Sequence, residues 1–165
     1  MTTRLPTFSV SAALAYAAKT LSEPPKWEHV ERVAGVGELV ARFVLPLELC
    51  QTSNARMRGG FKQRRAEAAM KQTCFAMMLS QNNGRREAAP LTGRPFVRAI
   101  RFSSKEPDHG SDWAKNPIDR LVVGKTGLGY LVDDAPKFCK VVTFAEYAPP
   151  SSGFCLVEIY TGEAK

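Results

Sequence analysis

The stretch Ser111-Asp-Trp-Ala-Lys-Asn-Pro-Ile-Asp-Arg-Leu121, followed by Gly129-Tyr-Leu-Val-Asp-Asp-Ala135, sets the reading of the whole chain. All five aspartates, Asp108, Asp112, Asp119, Asp133 and Asp134, fall within 27 of the 165 positions. Asp112 or Ser111 suits the N-cap of a short helix over 112–122. Pro117 is tolerated in or near its first turn. Lys115 and Asp119 lie three and seven residues beyond Asp112, so a helix puts them on one face. Asp133-Asp134 follows the apolar run Tyr130-Leu131-Val132. Carboxylates that converge repel one another and stay ionised only around a cation. Oxygen-only ligands suit Mg²⁺ or Mn²⁺. Such ions activate water and stabilise the leaving oxygen in phosphodiester cleavage. A lysine beside them neutralises transition-state charge. The same residues also read as an N-cap, a surface ion pair and an Asp-Asp turn.

The bases are concentrated too. The chain carries 23 Lys+Arg against 16 Asp+Glu, a net charge of +7. Between Arg56 and Arg101 there are eleven bases and only two acids, Glu67 and Glu87, a net of +9. That one region holds the whole excess. A concentrated basic field suits a phosphate-rich partner, most often nucleic acid; a solvated, solubilising surface is the plainer alternative. The candidate contacts are Asn54, Arg56, Arg58, Lys62, Arg64, Arg65, Arg85 and Arg86.

Composition narrows the classes further. With 44% hydrophobic and 24% charged residues, the chain is globular and long enough to bury a core unaided. No apolar run is long enough to cross a bilayer. Cys50, Cys74, Cys139 and Cys155 form no CxxC pair, which argues against zinc and for buried, reduced thiols. His29 and His109 are the only histidines, leaving little room for a Ser-His-Asp or Cys-His site. Gly124-Lys125-Thr126 lacks the preceding glycine of a phosphate-binding P-loop.

Periodicity predicts both helices and strands along the chain. Residues 1–37 read as an N-terminal extension and 38–165 as the main domain. The first 24 residues resemble a mitochondrial presequence, without a convincing cleavage site. They read rather as an Ala-rich docking helix over Ser9–Ser22, stopped by Pro24-Pro25. A connector ends at Gly35-Val36-Gly37. A strand is expected over 39–47, with Leu39, Ala41, Phe43, Leu45 and Leu47 on one face. Pro46 puts its far end at an edge or out of the sheet. A long helix spans 61–80, with a stripe of Ala66, Ala69/Met70, Thr73/Cys74 and Met77. Asn82-Asn83-Gly84 stops it. Further strands are expected over 96–102, 139–147 and 154–160. In the first of these Phe96, Ile100 and Phe102 share a face that Arg98 interrupts.

In order and spacing, these segments resemble the RusA family of Holliday junction resolvases. That family shows an Asp-x-Asp-Asn group, a Lys three residues on, an Asp-x-Leu four beyond that, and an Asp-Asp pair after an aromatic/apolar triplet. Lys115, Asp119, Leu121 and Asp133-Asp134 fall into place, and Leu45-Pro46 followed by Ser53-Asn54 resembles the family's opening. The resemblance covers about residues 39–161. It implies a small α+β fold with a mixed sheet packed by helices, a homodimer, and Mg²⁺- or Mn²⁺-dependent cleavage of branched DNA. Lys115 and Asp134 would be catalytic, and Asp108, Asp112, Asp133 and Asp134 would hold the metal. The chain departs from the family in the first acidic group. Aligned on Lys115, Asp112 stands at the Asn position, Ser111 at the second Asp and His109 at the first. A shift of the loop would bring in Asp108. The stretch from Asp119 to Asp133 is also longer, through Gly124-Lys-Thr-Gly127. These departures and the presequence-like start fit an alternative. It is an inactive RusA-like structural subunit that binds RNA in a large ribonucleoprotein, such as a mitochondrial ribosome. The expected compartment is the cytoplasm of a bacterium or phage host, or the mitochondrial matrix, with no membrane partner.

Overall fold

The computed structural model describes residues 8–50, 61–107 and 113–163. It is an α+β arrangement around a four-stranded mixed sheet. The strands are β1 (Leu39–Pro46), β2 (Phe96–Ser103), β3 (Lys140–Tyr147) and β4 (Phe154–Tyr160). Their order is β1-β4-β2-β3. β4 runs antiparallel to both β1 and β2, whereas β3 is parallel to β2. Pro46 ends the edge strand β1, where its missing N–H costs no ladder bond. A 3₁₀ turn over Leu47–Leu49 follows.

Both faces of the sheet are covered, so its central strands are apolar on both sides rather than alternating. One face carries Phe43, Leu45, Val97, Ala99, Val157 and Ile159. It packs under α2 (Phe61–Gln81), the short α3 (Lys115–Asp119) and the segment 121–131. The helix α2 buries Cys74 and Met78 and half-buries Met70, Thr73 and Met77, while Ala66 and Ala69 are exposed. Its stripe is therefore turned slightly from the expected one. The longer methionines reach the sheet and the alanines do not. The N–H of Gly84 closes the helix on the carbonyl of Leu79.

The other face is covered by α1 (Val10–Ser22). Ser9 caps it, its hydroxyl accepting from the Ala12 N–H at 3.2 Å. Ala13 and Ala17, four residues apart, are buried in one cluster with Val44, Ile100, Phe102, Phe154 and Leu156. Their small side chains allow close approach of the helix. Tyr16 sets its ring edge-on to Phe102 and Phe154 and donates its hydroxyl to the Tyr147 carbonyl at 2.9 Å. The connector after α1 runs along the same face. Gly35 lies against the Tyr160 ring, where any Cβ would stand about 2.1 Å from ring carbon.

Two carboxylates sit inside this face. Glu158 on β4, 1% exposed, accepts from Arg98 at 2.6–2.8 Å and from Arg42 at 2.9–3.1 Å. Glu146 on β3 is equally buried and takes both ends of the Arg32 guanidinium, at 2.5 and 3.2 Å. Arg32 also donates to the carbonyls of Thr20, Leu21 and Glu23, closing the C-terminal end of α1. Arg98, which interrupts the apolar face in the sequence, is thus the counter-ion of Glu158. No helix among the described residues is long and apolar enough to cross a membrane.

Candidate functional site

The helix expected over 112–122 is short: α3 covers Lys115–Asp119, with Ala114 rather than an Asp or Ser at its N-cap. Pro117 lies inside it and supplies no N–H. Beyond Arg120 the chain extends to pair with 131. The Val123 N–H donates to Leu131 O, and the Leu131 N–H to Leu121 O. Trp113, Ala114, Asn116, Pro117 and Ile118 are buried, which turns Lys115 and Asp119 outward.

The aromatic/apolar triplet anchors the second half of the site. Leu128, Tyr130 and Leu131 are buried. The Tyr130 hydroxyl donates to Asn82 Oδ1 at 2.6 Å. Asp133 and Asp134 emerge immediately after this anchor. Lys115 Nζ lies 2.7 Å from Asp134 Oδ2 and 2.9 Å from Asp119 Oδ1. Asp134's hydrogen bond, helped by that of Asp119, raises the Lys115 pKa above the ordinary lysine value. The same bond to Lys115 holds Asp134 below its ordinary range. Lys115 is therefore an ammonium at neutral pH. It cannot act there as a general base, and its chemistry is that of a fixed positive charge beside a phosphate.

The structure brings Lys115, Asp119 and Asp134 together. Asp133 is more exposed, and its Oδ1 accepts from the Ala135 N–H at 3.2 Å in a turn. Asp108 and Asp112 lie outside the described residues. Among the described residues no three His, Cys, Asp or Glu side chains stand together as metal ligands. Asp133 and Asp134 alone do not fit a divalent ion, which takes about six oxygens.

The basic residues divide. Asn54, Arg56 and Arg58 lie outside the described residues, as does the side chain of Lys62. Arg64 and Arg65 are exposed near the start of α2, and Arg85 and Arg86 are exposed beyond its end. At 1.5 Å per residue the two groups stand roughly 30 Å apart. The sequence suggests one basic field; the structure splits it. Arg98 is spent on Glu158, and Arg101 donates to the Cys50 carbonyl at 3.1 Å.

Two residues whose roles carry no signal in the sequence lie beneath the site. Asn116 donates to Leu49 O at 3.0 Å beside the Arg101–Cys50 bond, so α3 and β2 jointly fix the point from which the 51–60 stretch departs. Arg120 is buried and donates to Thr126 Oγ1 at 2.7 Å. Nothing in periodicity marks a buried arginine, because its type is ordinarily exposed. All four cysteines are free and buried, as their spacing suggests.

No protein-family model, curated protein or solved structure matches the chain.

Proposed function

We propose that this chain binds branched DNA and cleaves it as a metal-dependent, structure-selective endonuclease of the RusA type. The observation that carries the reading is the meeting of Lys115 with Asp134, 19 residues apart, at 2.7 Å. The resemblance gives both residues a catalytic role, and local periodicity does not bring them together. In this reading Lys115 offers its charge to the scissile phosphate and Asp134 orients it. Asp119 holds the ammonium from the other side. The exposed Arg64, Arg65, Arg85 and Arg86 bind the backbone. Asp133 and Asp134 together with Asp108 or Asp112 would hold Mg²⁺ or Mn²⁺, which would supply activation of water at the phosphodiester. The active unit is a homodimer, since two symmetric nicks need two sites.

One observation favours a second reading. Lys115 is already the counter-ion of Asp119 and Asp134, a role an ion would otherwise fill. A chain so balanced suits a nucleic-acid-binding subunit of a ribonucleoprotein that no longer cleaves.

The test is a labelled synthetic four-way DNA junction incubated with Mg²⁺ or Mn²⁺, wild type beside Lys115→Ala and Asp134→Asn. Symmetric nicking that each substitution lowers by about 100-fold or more supports the resolvase. Salt-sensitive binding of DNA or RNA without nicking supports the second reading. No binding to either nucleic acid overturns both.

A further inference from the structure

The turn Gly124-Lys125-Thr126-Gly127 is where the chain is longer than the RusA pattern, and the site above does not use it. It is closed by the Gly127 N–H on Gly124 O at 3.2 Å, which puts Lys125 at its exposed tip. Two arginines hold it from opposite sides. From outside, Arg86 donates to the Lys125 carbonyl at 2.5 Å, its guanidinium 4.9 Å from the centroid of the Phe75 ring. From inside, the 6%-exposed Arg120 holds Thr126. Arg120 has no acidic partner among the described residues, and its Nε is without a hydrogen bond there. Arg85, Arg86 and Lys125 are exposed and likewise make no ion pair among the described residues. Arg86 and Arg120 therefore flank the turn that presents Lys125, and Arg85 adjoins Arg86 in the chain. The acid beside them in sequence, Glu87, interacts with the Tyr130 hydroxyl.

An uncompensated group of cations on a projecting turn raises the local potential. Its shape suits a long polyanion rather than a small ligand, because a tip encloses nothing. The large cavity of about 880 Å³ lies elsewhere, between the Gly37 and Gly93 loops, and its charged lining is Glu38 and Glu163. We infer that the 124–127 turn is a backbone clamp for duplex nucleic acid, with Lys125 contacting a phosphate beside Arg85 and Arg86. The clamp rests on the nucleic-acid reading above and adds a contact remote from Lys115 and Asp134. Hydrogen bonds from Arg86 and Arg120 hold the turn before the ligand arrives, so little ordering opposes binding.

The experiment measures equilibrium binding of a four-way junction and of a plain DNA duplex from 50 to 200 mM salt. It compares wild type, Lys125→Ala, Lys125→Glu and Lys125→Arg. One phosphate contact contributes about 0.9 to the log–log salt slope. The wild type is therefore expected to lose about 3.5-fold more affinity across that range than Lys125→Ala. Lys125→Arg should restore the slope and Lys125→Glu should weaken binding further. The same loss on junction and duplex is expected, since a backbone contact reads no branch. Unchanged slopes in Lys125→Ala and Lys125→Glu, with the wild type binding well, overturn the clamp and leave the proposed function standing. A wild type that binds neither DNA overturns the nucleic-acid reading itself. Melting curves of the variants that overlay the wild type exclude misfolding as the source of any change.

Discussion

Glu158 shows what a single side chain does in this protein. It is a carboxylate inside a sheet face, acceptable only because Arg98 and Arg42 approach it from the two neighbouring strands. Glu158→Gln keeps the shape and removes the charge, leaving Arg98, 15% exposed, without its anion. Breaking a buried pair from one side costs about 3–5 kcal/mol. For a chain of this size that is a fall in Tm of roughly 10 °C. Calorimetry checks this, and a shift under about 2 °C would show the pair to be energetically idle. The outer pair behaves differently. Lys115 is half exposed, so its link to Asp134 is worth at most about 1 kcal/mol. The sign follows from the shifts. Asp134 has a lowered pKa in the folded chain, so its contribution is full above the ordinary carboxylate range and fades as pH falls through the lowered value. Lys115 has a raised one, so its contribution is full below the ordinary lysine value and fades only on strong alkalinisation. Across neutral pH the pair is constant. In acid, the urea midpoint of the wild type should fall more steeply with pH than that of Asp134→Asn; superimposable acid limbs would contradict the pairing.

Elements differ in how plainly the sequence announces them. α1, β3 and β4 match their expected spans within a residue or two, because each has a stop beside it: Pro24-Pro25, Pro149-Pro150, Gly153. α3 does not. Its expected span is cut by extended pairing of 121–123 with 131, a long-range competition that helical spacing does not reveal. The stripe of α2 holds at Met70, Thr73, Cys74 and Met77 and fails only at Ala66 and Ala69, since alanine fits either face and only contact with the sheet decides. Of the candidate site, the Lys115–Asp119 pair is legible from i,i+4 spacing. The resemblance marks Asp134 as a site residue, but its approach to Lys115 spans 19 residues and no local signal contains it. Glu146 and Glu158 were invisible as buried charges because their partners lie on other elements. The docking of α1 gives a test at this scale. Ala17 is 3% exposed and Ala15 and Ala18 are exposed. Ala17→Glu buries an unpaired carboxylate, at a cost of about 3 kcal/mol or more. Limited proteolysis should then cut the 23–37 connector readily, while Ala15→Glu and Ala18→Glu leave it protected. Equal protection in all three would mean that α1 does not depend on that face.

The molecule as a whole is a sheet between two unlike covers. On one side lie α2, α3 and the acidic site; on the other, α1 and a connector tied down by Arg32 and Arg98. Lys19 is the only base in α1, with Lys26 and Arg32 in the connector, while Arg64, Arg65, Arg85, Arg86 and Lys125 belong to α2 and the loops on the opposite side. In the proposed function, a ligand with a charged backbone would bind the side that holds Lys115. β4, the last strand in the chain, lies between β1 and β2. β1 has no other partner in the sheet. Roughly a hundred residues separate β1 from β4, which a ribosome takes about 5–20 s to add. During that interval β1 has no strand to join, and α1 has no finished surface to cover. The emerging polypeptide therefore stays open until β4 has been made and closes in one late step, when that strand slides between two that were made long before.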